Sequence, residues 1–287
     1  MITQFDCISD VHIDHHVKEV THNKVRSFIK TYLLPVGKDF LTKSPVLVLA
    51  GDIIERESSA KVIFEVFKEF YEEVIYVYGN HECYCYTKEV PNTELKLSVI
   101  RNAAVDAGIH MLEGDTVNIQ GTTFGGGSAW YDFSYGYKFN NDFDSMYDLW
   151  QGYMSDARLI ADYFYTIAYS SKLYPVLDFK AFRDKRLNEI KQIEKADVIV
   201  THVSPVVPDS IPEEFQNETT GFYFYEGLED VKRINPKVWV FGHTHSTYDF
   251  MYDNTRFICN PCGYPSERSK KNLTTRIKTV LIKENND

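Results

Sequence analysis

Short polar motifs follow several apolar runs in this 287-residue sequence, and five of its nine histidines lie in these motifs. Each apolar run is typical of a buried strand. Because loops at the carboxyl ends of parallel strands meet in one crevice, the polar side chains are expected to converge although they are far apart in the sequence. The candidate metal ligands are Asp10, His12, Asp52, Asn80, His202, His243 and His245.

The donor types of this set indicate metal-dependent chemistry on a phosphate. Carboxylate, amide and imidazole ligands suit Mn, Fe, Zn, Co or Ni and suit calcium poorly. Seven ligands exceed the need of one zinc ion, but they suffice for two divalent ions that share Asp52 as a bridge. Two such ions outweigh the two aspartates in charge, so the predicted pocket favours a small phosphorylated substrate. Coordination would lower the pKa of a shared water and supply hydroxide for in-line attack on phosphorus.

His81 is the candidate general acid. It directly follows Asn80, so it is expected to point into the same crevice, where it could protonate the departing alkoxide. The other histidines lie at the edge of the first motif or outside all motifs, and structural roles are predicted for them. These residues are His15, His16, His22 and His110.

Three further residues are candidate substrate contacts, each with a structural alternative. Arg56 is either a phosphate ligand or an exposed helical residue, and its acidic neighbours favour the second interpretation. Trp130 and Tyr131 either stack on an aromatic leaving group or a base, or they belong to a small satellite core.

The elements that must position these residues follow an α/β pattern. Three apolar runs, at 3–9, 46–50 and 74–78, are each followed by a segment of mixed or helical spacing, to about residue 34, over 61–71 and over 91–107. Three such units predict a parallel sheet. From residue 109 the pattern changes to short strands (IHML, TVNIQ, TTFGG) that suit antiparallel pairing in a second sheet.

The remainder of the chain continues the pattern. A helix is predicted over 179–195, two more strands each precede a polar motif, and a hairpin is predicted over about 248–260. The FYFY segment at 222–225 is predicted to be a buried or edge strand, with a lid over the metals as the alternative. The region 130–176 is rich in aromatic residues and is predicted to be an insertion. Because there is no repeat, low-complexity tract or flexible linker, a single domain over 1–287 is predicted.

Composition narrows the function classes further. A formal charge of -10 disfavours an extended nucleic-acid partner. The N-terminus lacks a basic leader region and no window approaches 18 apolar residues, so a cytoplasmic, unanchored protein is predicted. An odd number of cysteines, five, indicates reduced thiols. A zinc site built from cysteines 83, 85, 259 and 262 is the alternative, but its spacing is unusual.

The five motifs resemble, in order, the signature of the calcineurin-like metallophosphoesterases. In this sequence they read DVH at 10–12, GD at 51–52, GNHE at 79–82, the single His202, and GHTH at 242–245. The resemblance implies a four-layer α/β/β/α sandwich of two mixed β-sheets flanked by helices, with a metal site at the carboxyl ends of the strands. It also implies that one metal is bound by Asp10, His12 and His245, the other by Asn80, His202 and His243, and both by Asp52.

A narrower resemblance is to bacterial and phage members of this family. It is carried by a G-x-x-F-x-G-x-x-x-W block at 121–130 and an N-P-x-G-Y-P block at 260–265, in which Cys262 stands where those relatives often have arginine. The protein Ser/Thr phosphatase branch is less similar. Its GD-x-x-D-R block is matched by GDIIER at 51–56, but Tyr78 replaces the arginine before GNHE.

The sequence therefore predicts a metal-dependent phosphoesterase that hydrolyses a small phosphomonoester or phosphodiester. One alternative is a DNA-end-processing nuclease of the same fold, which the acidic balance and the lack of an added basic domain disfavour. Another is a non-catalytic interaction scaffold, which the presence of His81 and of every candidate ligand disfavours.

Overall fold

The computed structural model describes residues 2–35, 44–86, 92–166, 173–270 and 276–282. The strands are β1 (Gln4–Ile8), β2 (Ser44–Ala50), β3 (Tyr71–Val77), β4 (His110–Met111), β5 (Asp115–Ile119), β6 (Thr122–Gly126), β7 (Tyr163–Thr166), β8 (Leu173–Val176), β9 (Val198–Val200), β10 (Val238–Phe241), β11 (Tyr248–Tyr252), β12 (Thr255–Cys259) and β13 (Lys278–Leu281). The α-helices are α1 (Ile13–His16), α2 (His22–Phe28), α3 (Ala60–Phe70), α4 (Thr93–Asp106), α5 (Phe143–Tyr153), α6 (Asp156–Leu159), α7 (Phe179–Lys191), α8 (Leu228–Ile234) and α9 (Pro265–Lys270).

The first sheet has the strand order β13-β1-β2-β3-β4, and β1 to β4 run parallel. Its central strands are largely apolar because both faces are covered. In β2, Val46 and Val48 face the second sheet, whereas Leu47 and Leu49 face the helical layer. The three predicted strand-helix units are present, although the helical part of the first is divided, and each unit places its polar motif at the same end of the sheet.

The second sheet has the order β11-β12-β10-β9-β6-β5, with four parallel strands at its centre and an antiparallel strand at each edge. The predicted hairpin is β11–β12. The two sheets pack face to face, and the edge-to-face contact of Phe5 with Phe124, at 5.7 Å between ring centroids, lies between them. The predicted α/β/β/α class, two mixed sheets flanked by helices, is confirmed.

Two strand predictions are wrong. The IHML segment does not start the antiparallel sheet, because the crossover through α4 returns β4 to a parallel position beside β3. The FYFY segment is buried but is not a strand. Residues Glu218–Phe222 form a 3-10 turn whose first residues are capped by Asn217, and Phe224 makes a single bridge to Ser204.

The helical prediction before residue 34 is correct only in part. The segment is divided into α1, α2 and a π-helical turn at Ile29–Leu33. The interruption falls where the β-branched residues Val17, Val20 and Thr21 lower helix propensity. No helix among the described residues combines the length and apolarity needed to cross a bilayer.

The buried aromatic residues of the region 130–176 extend the main hydrophobic core, and several of its other aromatic residues are exposed. The region contains a 3-10 turn at Ser134–Phe139, the helices α5 and α6, and the β7–β8 hairpin, and its residues 167–172 lie outside the described part. Phe133 stacks on Phe179 with ring centroids 4.7 Å apart and an interplanar angle of 5°. Asp142 and Ser145 form a capping box at the start of α5. That the whole chain is one domain stays a prediction.

Candidate metal centre

The polar motifs that follow β1, β2 and β10 hold their side chains on strained backbone. Among the described residues, eleven non-glycine positions have a left-handed φ, and five of them are predicted metal ligands. Such conformations are costly for residues with a side chain and concentrate at functional sites. The five are Asp10, His12, Asp52, His243 and His245.

Two motif glycines allow the loops to approach one another. A Cβ on Gly51, where φ is +83°, would lie 2.3 Å from Nδ1 of His202. A Cβ on Gly79 would lie 2.2 Å from Oδ1 of Asp52. Real Cβ atoms do not come this close to a heavy atom, so only glycine fits at either position.

The glutamate of the GNHE motif organises the Asp52 loop. The carboxylate of Glu82 is buried and accepts hydrogen bonds from the backbone N–H groups of Gly79 (2.7 Å), Asp52 (3.0 Å), Ile53 (2.7 Å) and Ile54 (2.9 Å). Four such bonds hold the loops after β2 and β3 in one arrangement, since buried N–H groups need acceptors.

The first ligand cluster combines Asp10, His12, Asp52 and His245, whose donor atoms all lie within 4.8 Å of one another. Nε2 of His12 is 3.2 Å from Nε2 of His245. The same His245 nitrogen is 3.5 Å from Oδ1 of Asp10, and Nε2 of His12 is 3.9 Å from Oδ2 of Asp52.

The second cluster combines Asp52, His202 and His243, again within 4.8 Å. Nε2 of His202 lies 3.4 Å from Oδ2 of Asp52 and 3.1 Å from Oδ1 of Asn80, so the amide oxygen of Asn80 joins this group. Asp52 belongs to both clusters. The structure thus brings together all seven residues that the sequence singled out.

Hydrogen bonds behind the clusters fix which ring nitrogen faces them. His202 Nδ1 donates to the carbonyl of Ala50 (2.9 Å), and His243 Nε2 donates to the carbonyl of Phe222 (2.9 Å). His245 Nδ1 donates to Glu267 (2.7 Å). Bonds of this kind orient the imidazoles of metal sites and raise their basicity.

The buried charged groups of the two clusters favour the binding of cations. Burial favours the neutral acid of Asp52, but His202 and His81 outweigh burial and hold the pKa of Asp52 well below its ordinary value. Burial opposes charge on His202, yet Asp52 outweighs it and raises the pKa of His202 to about 10. Burial lowers the pKa of His243 to about 3. Oxygen and imidazole donors around buried carboxylates fit two divalent ions such as Mn, Fe, Zn, Co or Ni, with Asp52 shared.

His81 lies beside the clusters with both ring nitrogens engaged. Nδ1 is 3.0 Å from Oε1 of Glu55, and Nε2 is 2.8 Å from the hydroxyl of Tyr264. Burial opposes the charged ring, but Asp52 and Glu55 outweigh burial and raise the pKa of His81. A raised pKa favours the protonated ring, whose Nε2–H can act as a donor.

Glu55 also accepts hydrogen bonds from His15 and Tyr86. Burial raises the pKa of Glu55, but the hydrogen bonds from His15 and His81 outweigh burial, so this pKa lies below its ordinary value. The sequence assigned His15 a structural role and named Glu55 only within the GDIIER comparison. The structure places both in one cluster with His81.

Asp156 is a buried residue of the aromatic region that the sequence analysis missed. Its Oδ1 accepts from Nδ2 of Asn80 (3.0 Å) and from the hydroxyl of Tyr84, and its Oδ2 accepts from the hydroxyl of Tyr131. The bond to Nδ2 turns Oδ1 of Asn80 toward His202. Nothing in the sequence separates Asp156 from the other aspartates nearby, because its partners come from two distant segments, the loop after β3 and the start of the aromatic region.

Asp156→Asn is expected to weaken metal binding at the second cluster by about 10- to 100-fold, since the amide keeps one acceptor oxygen where Asn80, Tyr84 and Tyr131 now share two, and the orientation of Asn80 is held less firmly. Calorimetric titration with Zn²⁺ would measure this change. Asp148→Asn, an exposed aspartate of the same region, is the matched control and should bind metal normally. Unchanged affinity in Asp156→Asn would contradict the positioning role.

The contacts of the three candidate substrate residues favour their structural alternatives. Nε of Arg56 donates to Asp14 (3.0 Å), in agreement with its structural interpretation. Trp130 and Tyr131 are 1% and 0% exposed, so neither ring presents a surface to a substrate. Tyr131 instead stacks against the ring of His243 at 5.9 Å and 11°, behind the clusters.

The cysteines and the remaining histidines take structural positions. All five cysteines are buried and form no disulfide, and the metal-binding groups of the described residues contain none of them. His22 pairs with Glu65 and His110 pairs with Glu73 on the surface. His16 contacts the carbonyl of Gly263.

A four-layer sandwich with overlapping oxygen- and imidazole-rich clusters at its strand ends defines a class of metal-dependent hydrolase. A calcineurin-like phosphoesterase family model matches residues 3–247, and the chain belongs to this family. It is a phosphoester hydrolase of the metallophosphoesterase type.

Two proteins are similar to this chain over most of their length. The chain is 26% identical to an uncharacterized protein of Acanthamoeba polyphaga mimivirus over 234 residues, which cover 79% of this chain and 81% of that one. The crystal structure of the phosphopantetheinyl hydrolase of Mycobacterium tuberculosis superposes with a TM-score of 0.70 at 20% identity, covering 99% of this chain and 98% of that one. The second similarity shows a shared fold.

Proposed function

We propose that this protein hydrolyses a small phosphomonoester or phosphodiester with two divalent metal ions. The observation that supports this most is the pair of ligand clusters that share Asp52, with His81 beside them. In this proposal Asp10, His12 and His245 hold one ion, Asn80, His202 and His243 hold the other, and Asp52 contacts both.

The ions, when bound, would activate water and offset the charge of the phosphate. The chain itself supplies orientation and a proton. Glu55 holds Nδ1 of His81, so the opposite nitrogen is directed at the crevice, where the oxygen of the leaving alcohol takes its proton. Tyr264 contacts that same nitrogen and stacks on His12 at 4.3 Å, which places its hydroxyl beside the path of the proton.

Metal removal tests the proposal. Protein purified with about two metals per chain should hydrolyse para-nitrophenyl phosphate or bis-para-nitrophenyl phosphate, lose this activity in EDTA, and regain it with Mn²⁺, Ni²⁺ or Zn²⁺. Removal should also lower the melting temperature by roughly 5 to 10 °C, because ions that bind only the folded state stabilise it. Elemental analysis, the two assays and calorimetry would measure this.

Activity that EDTA leaves intact would exclude the metal-dependent mechanism. A protein with neither bound metal nor activity after addition of each ion would instead favour an interaction scaffold of the same fold. A strong preference for DNA ends over both small esters would favour the nuclease alternative, against which the net charge of -10 weighs.

A further inference from the structure

A cavity of about 200 Å³ adjoins the metal centre. His245, a ligand of the first cluster, lies in its wall. Tyr223 forms another part of the wall, and its ring is 5.0 Å from the ring of His243, a ligand of the second cluster. The cavity therefore borders both halves of the centre.

The lining of the cavity is aromatic and hydroxylated rather than charged. Among the described residues that line it, none is a lysine or arginine. The imidazole of His245 and the carboxylate of Glu267 also line it, and they are hydrogen-bonded to each other at 2.7 Å. The aromatic walls are Tyr153, Phe215, Tyr223, Phe224 and Tyr248, and hydroxyls come from Thr219, Thr220, Thr244 and Ser246.

These walls suit one chemical class of group. Aromatic faces bind apolar or planar groups, and hydroxyls can hydrogen-bond to neutral polar atoms. A second phosphate in the cavity would meet the carboxylate of Glu267 and no lysine or arginine of the described lining, since His245 is bonded to Glu267 and belongs to the first ligand cluster, so like charges would oppose the phosphate. The cavity fits an uncharged organic group.

The position of His81 indicates which side of the substrate this group is on. His81, the proton donor, is not among the described lining residues. The leaving oxygen must lie near His81, whereas a group in the cavity lies beside His245. The group in the cavity is therefore the one that stays on phosphorus.

We propose that the substrate is a phosphodiester whose retained ester group is uncharged and occupies this cavity, an inference that rests on the proposed hydrolytic function. In its hydrolysis a water oxygen bonds to phosphorus and the bond from phosphorus to the leaving oxygen breaks. The leaving oxygen takes a proton from His81, and His81 is reprotonated from water. The product is a monoester of the group in the cavity.

Three probes that share one leaving group test the proposal. They are para-nitrophenyl phosphate, the para-nitrophenyl ester of thymidine 5′-phosphate, and the latter ester with an added 3′-phosphate. The metal-loaded protein should have its highest kcat/KM on the second probe, and the added phosphate should lower that value about tenfold or more.

Tyr153→Ala and Phe215→Ala should each lower kcat/KM on the thymidine diester about tenfold, the loss expected for one stacking contact, and leave the monoester within about twofold. Tyr163→Ala is the matched control, because Tyr163 is 56% exposed, Tyr153 is 55% exposed, and only Tyr153 lines the cavity. Phe215→Lys should raise kcat/KM on the 3′-phosphate probe by about two- to fivefold.

Equal losses on monoester and diester, or equal values for the Tyr153 and Tyr163 variants, would overturn the cavity assignment while the hydrolytic function stands. If no probe is hydrolysed, the proposed function fails. Saturation-transfer NMR of thymidine with the full chain would then test whether thymidine binds in the cavity, because this measurement does not require hydrolysis. Transfer that Tyr153→Ala abolishes supports the assignment, and transfer that this variant leaves unchanged overturns it.

Discussion

Asp52→Asn is expected to reduce metal content from about two ions per chain to below one and to lower kcat/KM by about 10³-fold. Asparagine has nearly the same shape, and its side-chain oxygen can still accept the hydrogen bond that the backbone N–H of His81 donates at 2.9 Å. The variant loses the negative charge of the Asp52 carboxylate, which belongs to both clusters. Elemental analysis together with hydrolysis of para-nitrophenyl phosphate would measure both effects.

A matched control for this variant exists in the first sheet. Asp6 is also buried, but its carboxylate accepts hydrogen bonds from Tyr71 and Thr279 instead of facing the clusters. Asp6→Asn should retain about two metals even if it lowers stability. If Asp52→Asn kept full metal content and activity, the bridging assignment would be wrong.

His81→Ala is expected to lower kcat by about 10²- to 10⁴-fold on an alkyl phosphate and by tenfold or less on para-nitrophenyl phosphate. An alkoxide needs a proton to leave, whereas para-nitrophenolate is stable without one. Metal content should stay near two per chain, because His81 is not a member of either ligand cluster that shares Asp52. Parallel kinetics on phenyl, methyl and para-nitrophenyl phosphate would show the dependence on leaving group.

His110→Ala is the control for His81→Ala. His110 is likewise paired with a glutamate, Glu73 at 2.9 Å, but it lies outside all three candidate clusters. It should leave both rates unchanged. Equal losses on the alkyl and aryl esters in His81→Ala would show that His81 acts on the metals or on binding rather than as the acid.

The seven candidate ligands could be predicted from the sequence because each lies in a short motif directly after an apolar run. Such a motif can be recognised from a few neighbouring residues. Asp52, for example, is identified by the glycine before it, which the approach of His202 requires. Strand positions were predictable for the same reason, since runs such as that of β2 must be apolar on both faces.

The supporting residues could not be predicted, because their roles depend on contacts between distant segments. Asp156 meets Asn80 only after the aromatic region has packed, and Glu267 meets His245 only after α9 has formed. The sequence left open whether Trp130 and Tyr131 contact a substrate or belong to a core, because aromatic residues occur both in cores and in binding surfaces. Their burial resolves this in favour of the core.

The ligand-bearing loops belong to both sheets, since Asp10 and Asp52 follow strands of the first sheet and His202 and His243 follow strands of the second. Each cluster therefore combines ligands from both sheets, as His245 with Asp10 and Asn80 with His202, and the fit of its donor atoms depends on how the sheets pack. A change in side-chain volume at Phe5 or Phe124, which touch between the sheets, should alter metal affinity without touching a ligand. Metal binding in this chain is therefore expected to depend on the packing of its sandwich core as well as on its polar loops.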